Sequence, residues 1–152
     1  MLSVAIQAGG ESKRMGQDKG LVLFQGQPLI MRVLNRVAPI ADELVITSNA
    51  PESYRFLGLT PVPDRQPGRG ALGGLFTALD AAHHLAVAVV ACDMPFANPL
   101  LLAFQLQILN ETSADLVIPR TPNGLEPFHA VYRRETCLPQ VRAALQFNQR
   151  RV

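Results

Sequence analysis

The chain has 152 residues, and at ~100–200 residues per domain this length predicts one domain spanning 1–152. Apolar residues make up 48% and charged residues 17%, which excludes a disordered chain, and no apolar run approaches the ~20 residues of a membrane span. The net charge of +2 is too small to indicate a nucleic-acid partner, while two cysteines exclude a disulfide scaffold and favour a reducing cytoplasm.

The hydrophobic pattern predicts strands and helices that alternate along the chain. Ser3–Gln7 is short, apolar and followed by glycines, which predicts a buried strand that enters a loop. After Pro28, apolar residues recur at helical spacing as far as Val37. Leu85–Ala91 is an unbroken apolar run, typical of a strand covered on both faces. The other predicted elements are strands at 43–47, around 62, at 114–119 and at 128–132, and helices at 51–57, 71–83, 99–110 and 136–147.

This alternation predicts a three-layer α/β/α sandwich with a Rossmann-like, mostly parallel sheet. In such sheets ligands bind beyond the carboxyl ends of the strands. Three features of the sequence fall there: the loop after the first strand, the loop that begins at Asp64, and Asp93. We therefore expect one site along one edge of the sheet.

The loop at residues 9–19 has the composition of an anion site. It contains both lysines of the chain, Lys13 and Lys19, although the chain has twelve arginines. Glycines let backbone amides converge on an anion, and Arg14 and Lys19 can neutralise phosphate charge from two sides. The loop is not a P-loop, because no Gly-Lys-Ser/Thr follows. A solvated surface loop is the alternative, and the pairing of the lysines favours the anion site.

Two acidic residues complete the predicted site. Asp93 follows the Leu85–Ala91 strand, and a carboxylate beside a phosphate loop suits Mg²⁺, which takes one or two protein carboxylates plus phosphate oxygens and water. The alternative role of Asp93 is to cap the turn before Pro95. Asp64 can accept hydrogen bonds from a ribose or a base. His129 faces either a second substrate or the protein interior.

A glycine motif further along the chain favours a different class of protein. Residues 68–73 match G-x-G-x-x-G, and Asp93 follows Gly73 by twenty residues, which is the pattern of a dinucleotide-binding turn. That motif normally follows a strand directly, whereas here it follows a polar loop. We interpret these glycines as a loop that closes over the ligand and starts a helix.

The motif Q-A-G-G-x-S-x-R-M-G-x-D-K at residues 7–19 resembles the signature of nucleotidyltransferases with a glycosyltransferase-A-like fold. Within that group it is most similar to the MobA family of molybdenum cofactor guanylyltransferases, because relatives that act on sugars or isoprenoid precursors usually place Pro before the lysine. Further motifs extend the resemblance over nearly the whole chain: G-x-P-L at 26–29, P-D at 63–64, G-A-L-G-G at 70–74, C-D-M-P at 92–95 and E-P-F-H-A-V-Y at 126–132.

The resemblance implies transfer of GMP from GTP to the phosphate of molybdopterin, with release of pyrophosphate and with Mg²⁺ as cofactor. The implied partners are the substrates GTP and molybdopterin, and transient contact with other molybdenum cofactor proteins is also implied. No nucleic-acid or membrane partner is implied. The implied catalytic residues are Lys19, Arg14 and Asp93. The resemblance also implies that Gln7, Ala8, Gly9 and Gly10 contact the nucleotide. It implies that Lys19 binds the phosphates, Asp64 the nucleoside part, and Asp93 the metal.

Two departures from the family pattern leave alternatives open. Thr47 stands where many relatives have Asn, with Asn49 close by. Relatives usually continue beyond Val152 to an Asn-Thr-Pro segment, so we expect that a C-terminal segment is missing or that the site is completed differently. The alternatives are a molybdopterin cytidylyltransferase or other nucleotidyltransferase, an NAD-dependent oxidoreductase that uses the glycine motif, and an inert nucleotide-binding module.

Overall fold

The computed structural model describes residues 1–9 and 18–152; the expected site residues Gly10 and Arg14 lie outside the described residues. The described strands are β1 (Leu2–Gln7), β2 (Leu23–Phe24), β3 (Gln27–Pro28), β4 (Glu43–Ser48), β5 (Val62–Pro63), β6 (Ala86–Ala91), β7 (Leu116–Val117), β8 (Arg120–Thr121), β9 (Gly124–Leu125) and β10 (His129–Arg133). The described α-helices are α1 (Leu29–Val37), α2 (Gly70–Ala81), α3 (Pro99–Glu111) and α4 (Arg134–Gln146), and 3₁₀ helices cover Lys19–Leu21, Ala38–Ile40 and Pro51–Leu57.

The main sheet confirms the mostly parallel arrangement expected from the sequence. Its strand order in the described chain is β5-β4-β1-β6-β10-β7. Strand β1 lies parallel to β4 on one side and to β6 on the other, so that Ala5 is opposite Val45 and Val89. Strand β10 runs antiparallel to both β6 and β7. The carboxyl ends of β1, β4, β5 and β6 therefore meet at one edge.

Side chains that alternate along the central strands form two cores, one on each face of the sheet. Val4 and Val90 pack with α1 and α3, whereas Ala5 and Val89 pack with α2 and α4. All four side chains are fully buried, and burial of an apolar side chain of valine size stabilises a fold by about 1.5–3 kcal/mol. This arrangement confirms the three-layer α/β/α sandwich. In the described part of the chain, no helix is long and apolar enough to cross a membrane.

Element boundaries differ from the sequence expectations by more than one residue at three places that have a physical reason. Helix α2 ends at Ala81 rather than at residue 83, because the backbone of Ala82 is extended. The strand expected at 114–119 is reduced to Leu116–Val117, which pair with β10. It is an edge strand, and it ends before Pro119, which has no amide hydrogen to donate. Helix α4 begins at Arg134, immediately after β10, and includes Pro139.

Candidate active site

A pocket lies where the carboxyl ends of β1, β4 and β5 meet the start of α2. Gln7 ends β1, Asn49 follows β4, and Asp64 follows β5. Because these strands are parallel, residues far apart in the sequence arrive at one place. The pocket is lined by Gln7, Gly9, Asn49, Asp64, Gly68, Gly70 and Gly74. Three of the expected site residues, Gln7, Gly9 and Asp64, are thus brought together.

The side chain of Gln7 lies buried against Gly74 of α2. A Cβ atom at Gly74 would lie 1.7 Å from Gln7 Nε2, so a side chain at this position would displace the amide. Gln7 is 7% exposed, and its Oε1 has no hydrogen-bond partner among the described residues. The hydroxyl of Thr47, opposite Gln7 in the β1–β4 register, likewise has no described partner. Buried polar atoms in this condition suit a ligand that supplies the missing partner.

Asp64 is held at the pocket wall by two donors. The Thr77 hydroxyl lies 2.8 Å from Asp64 Oδ1, and the amide of Gln66 donates to the same oxygen at 3.0 Å. The hydroxyl of Thr77 also accepts from the amide of Arg65 at 2.9 Å. Arg65 forms a separate ion pair with Asp80 at 3.3 Å. Thr77 was not predictable from the sequence, because it lies within an apolar helical segment with no motif of its own.

Lys19 and Asp93 form an ion pair at the same edge of the sheet as the pocket. Lys19 Nζ lies 3.2 Å from Asp93 Oδ2, and the two side chains are 45% and 36% exposed. The carboxylate of Asp18 accepts from the amide of Gly20 at 3.1 Å and caps the short 3₁₀ helix that begins at Lys19. The pair joins the loop after β1 to the end of β6. Both side chains remain accessible to a ligand.

Gly20 allows the lysine-bearing turn to approach the core closely. A Cβ at Gly20 would lie 2.7 Å from Tyr54 Oη and 3.3 Å from Cys92 Sγ. Burial raises the pKa of the Tyr54 phenol. Burial, followed by the charge of Asp93, raises the pKa of the Cys92 thiol to about 12. The Cys92 thiol therefore stays protonated at neutral pH, which argues against a role as a nucleophile.

The loop that follows Asp93 is fixed at its far end by two contacts. Arg36 donates from Nε to the carbonyl of Ala97 at 2.6 Å, and the amide of Asn98 donates to His129 Nε2 at 2.9 Å. Burial lowers the pKa of His129, which keeps the ring neutral and able to accept this bond. His129 is 8% exposed. It therefore anchors the Asp93 loop from the interior.

The donor set around Asp93 fits one kind of metal site. No group of three or more His, Cys, Asp or Glu side chains is placed to hold a metal within residues 1–9 and 18–152. A closed site made only of protein ligands therefore does not fit the described chain. A single accessible carboxylate fits a hard divalent cation that takes its other ligands from phosphate oxygens and water, once Lys19 releases Asp93 Oδ2 to pair with those phosphates.

The glycine motif at residues 68–73 belongs to the pocket wall. Gly68 and Gly70 have φ values of +76° and +63°, a region that favours glycine. Gly70 begins α2, and both glycines line the pocket. These observations agree with a loop that starts a helix beside the ligand. The carbonyl of Arg150 accepts from the amide of Leu72 at 3.1 Å, so the C-terminal residues also contact the start of α2.

Residues 4–152 match the family described as the MobA-like NTP transferase domain. The chain belongs to this family. The matched residues include all those that line the pocket and both members of the Lys19–Asp93 pair. Membership in an NTP transferase family also removes the oxidoreductase alternative that the glycine motif had left open.

Curated and solved relatives agree with this membership. The MobA-like chain is 38% identical over 148 residues to a probable molybdenum cofactor guanylyltransferase of Natronomonas pharaonis, covering 93% of this chain and 72% of the relative. It is 37% identical over 133 residues to a protein of the same name from Carboxydothermus hydrogenoformans, covering 88% of this chain and 66% of the relative. The crystal structure of molybdopterin-guanine dinucleotide biosynthesis protein A from Archaeoglobus fulgidus superposes with a TM-score of 0.81 at 26% identity, covering 98% and 75% of the two chains.

Proposed function

We propose that this MobA-like NTP transferase transfers GMP from GTP to the phosphate of molybdopterin and releases pyrophosphate. The observation that carries the proposal is that the Lys19–Asp93 pair lies at the same carboxyl edge of the sheet as the pocket that contains Gln7 and Asp64. The names of the curated relatives support guanine as the base and molybdopterin as the acceptor. Cys92 and Cys137 are free thiols, which supports the reducing cytoplasm as the compartment.

The proposal divides the site into a nucleoside part and a phosphate part. Gln7 offers a buried amide, and Asp64 a half-buried carboxylate, to the base and ribose. Lys19 binds the triphosphate, and the motif residues Gly9, Gly10 and Arg14 are proposed as further contacts to its phosphates.

Positioning and charge neutralisation supply most of the catalysis. A molybdopterin phosphate oxygen forms a bond to the α-phosphorus of GTP as the bond from that phosphorus to the bridging oxygen of pyrophosphate breaks. The attacking oxygen is already anionic, so the reaction needs no strong general base. Lys19, together with the motif residue Arg14, supplies positive charge that stabilises the negative charge accumulating on the leaving group. Asp93 would hold Mg²⁺, which when bound neutralises phosphate charge.

Release of pyrophosphate tests the proposal. The purified chain is incubated with Mg²⁺, molybdopterin and each of the four nucleoside triphosphates in turn, and initial rates are compared. We expect release that needs molybdopterin and is fastest with GTP. A faster rate with CTP would instead identify a cytidylyltransferase. Binding of a nucleotide with no release under any of these conditions would identify an inert module and contradict the proposal.

A further inference from the structure

Thr77 places a polar group where the fold is otherwise apolar. It lies within α2 and is fully buried, and its neighbours Leu75, Phe76, Ala78 and Leu79 belong to the core on that face of the sheet. Removing a hydroxyl from water is unfavourable unless the protein replaces the lost hydrogen bonds. The partners of the Thr77 hydroxyl therefore indicate what this position does.

The hydroxyl has three partners but only one proton. Thr77 Oγ1 lies 2.8 Å from Asp64 Oδ1, 3.0 Å from the carbonyl of Gly73 and 2.9 Å from the amide of Arg65. The amide of Arg65 is a donor, so the hydroxyl accepts there and donates once. A bond to a carboxylate is shorter and stronger than a bond to a neutral carbonyl. The proton is therefore directed to Asp64, with the bond to Gly73 as the weaker competitor.

The two bonds orient the Asp64 carboxylate. Within the described chain, Thr77 and the amide of Gln66 both contact Oδ1, which leaves Oδ2 for a ligand in the pocket. We infer that Thr77 is a positioning residue for nucleotide binding, which acts by holding Asp64 so that its second oxygen accepts a hydroxyl or N–H of the nucleoside. This inference rests on the proposed function, because it takes the ligand of the pocket to be a nucleoside triphosphate.

A shape-matched substitution tests the role of the hydroxyl. Thr77→Val replaces the hydroxyl by a methyl group, whereas Thr77→Ser keeps it. We expect the Kd for GTP with Mg²⁺, measured by calorimetry, to rise ~10-fold in Thr77→Val, the effect of one lost charge-assisted hydrogen bond. Thr77→Ser retains nearly the wild-type Kd. Asp80→Asn is the matched control, because it releases the outer ion pair of the same loop without touching Asp64. It also keeps the wild-type Kd.

A double-mutant cycle separates positioning from a merely structural role. In an Asp64→Ala background, Thr77→Val is expected to leave the Kd for GTP unchanged, because a residue that acts through Asp64 has no effect without it. An equal rise in both backgrounds would overturn the inference, as would a wild-type Kd in Thr77→Val. If Thr77→Val does not fold, Thr77→Ala replaces it in the same cycle. A wild-type chain that binds no nucleoside triphosphate would refute the proposed function, and this inference with it.

Discussion

Lys19 and Asp93 are 74 positions apart in the chain, yet their charged groups lie 3.2 Å from each other at the carboxyl edge of the sheet. The fold produces this contact because β1 and β6 are adjacent parallel strands, and each residue follows the carboxyl end of one of them. Both side chains are accessible, so the pair adds little to stability: exposed ion pairs contribute ~0–1 kcal/mol. We therefore relate the pair to the proposed reaction, because it places a positive and a negative group side by side at the site.

The first prediction concerns this pair. Lys19→Ala and Asp93→Ala should each lower the rate of GMP transfer by about 10²–10³, the usual effect of losing one preorganised electrostatic group. The thermal midpoint of unfolding should change little. Arg55→Ala is the matched control, since it removes the exposed Arg55–Glu52 pair, which has a 2.8 Å contact and whose two residues do not line the pocket. Retention of most activity by either variant would contradict the assignment of both residues.

The second prediction concerns the contact between Gly74 and Gln7. Replacing a glycine inside a helix by alanine normally raises the free energy of unfolding by about 1 kcal/mol. At Gly74 the added Cβ overlaps Gln7, and overpacking costs about 1–3 kcal/mol. Gly74→Ala should therefore lower the thermal midpoint and weaken GTP binding. In a Gln7→Ala background, the same substitution should raise the midpoint. If Gly74→Ala shifted the thermal midpoint in the same direction in both backgrounds, the two residues would not compete for space.

The third prediction concerns His129. Burial lowers the pKa of this imidazole below its usual 6.5, so the unfolded chain binds a proton more readily than the folded chain. The stability that neutral His129 contributes is complete above pH 6.5 and falls as the pH drops below that value. His129→Gln offers an acceptor to Asn98 that does not titrate. Urea unfolding at pH 7.5 and 5.5 should show a smaller loss of unfolding free energy in this variant, whereas equal losses would contradict the assigned role.

The fourth prediction concerns Glu43, at the opposite edge of the sheet from the pocket. Burial alone would raise the pKa of Glu43, but hydrogen bonds from His83 and Ser3 outweigh it and lower the pKa from 4.5 to about 2. A lowered carboxylate pKa stabilises the fold above pH 4.5, and this contribution is lost as the pH falls toward 2. Glu43→Gln should flatten the fall in unfolding free energy across that range. Glu52→Gln, whose side chain is 70% exposed, should retain the wild-type slope.

Much of the architecture follows from local sequence patterns. The apolar run at 85–91 becomes the central strand Ala86–Ala91, and the helical spacing after Pro28 becomes α1. These patterns are reliable because a strand buried on both faces and an amphipathic helix each require a particular spacing of apolar residues. The short strands β7 to β9 lack such a pattern, since each has only two residues.

The candidate site was predictable only in part. Gln7, Gly9, Lys19, Asp64 and Asp93 follow predicted strands or belong to recognisable motifs, so the sequence assigned them to one edge of the sheet. The contact of Thr77 with Asp64 was not predictable, because it depends on the rotation of α2 about its axis and on its distance from β5. The overlap of Gly74 with Gln7 has the same cause.

The most direct test follows the α-phosphorus of GTP. GTP labelled at the α-phosphorus, and in parallel at the γ-phosphorus, is incubated with the chain, Mg²⁺ and molybdopterin, and the products are separated. We expect the α label in a dinucleotide product that contains molybdopterin and the γ label in pyrophosphate. An α label that never joins molybdopterin, under conditions in which GTP binds, would contradict the proposal that this site transfers GMP.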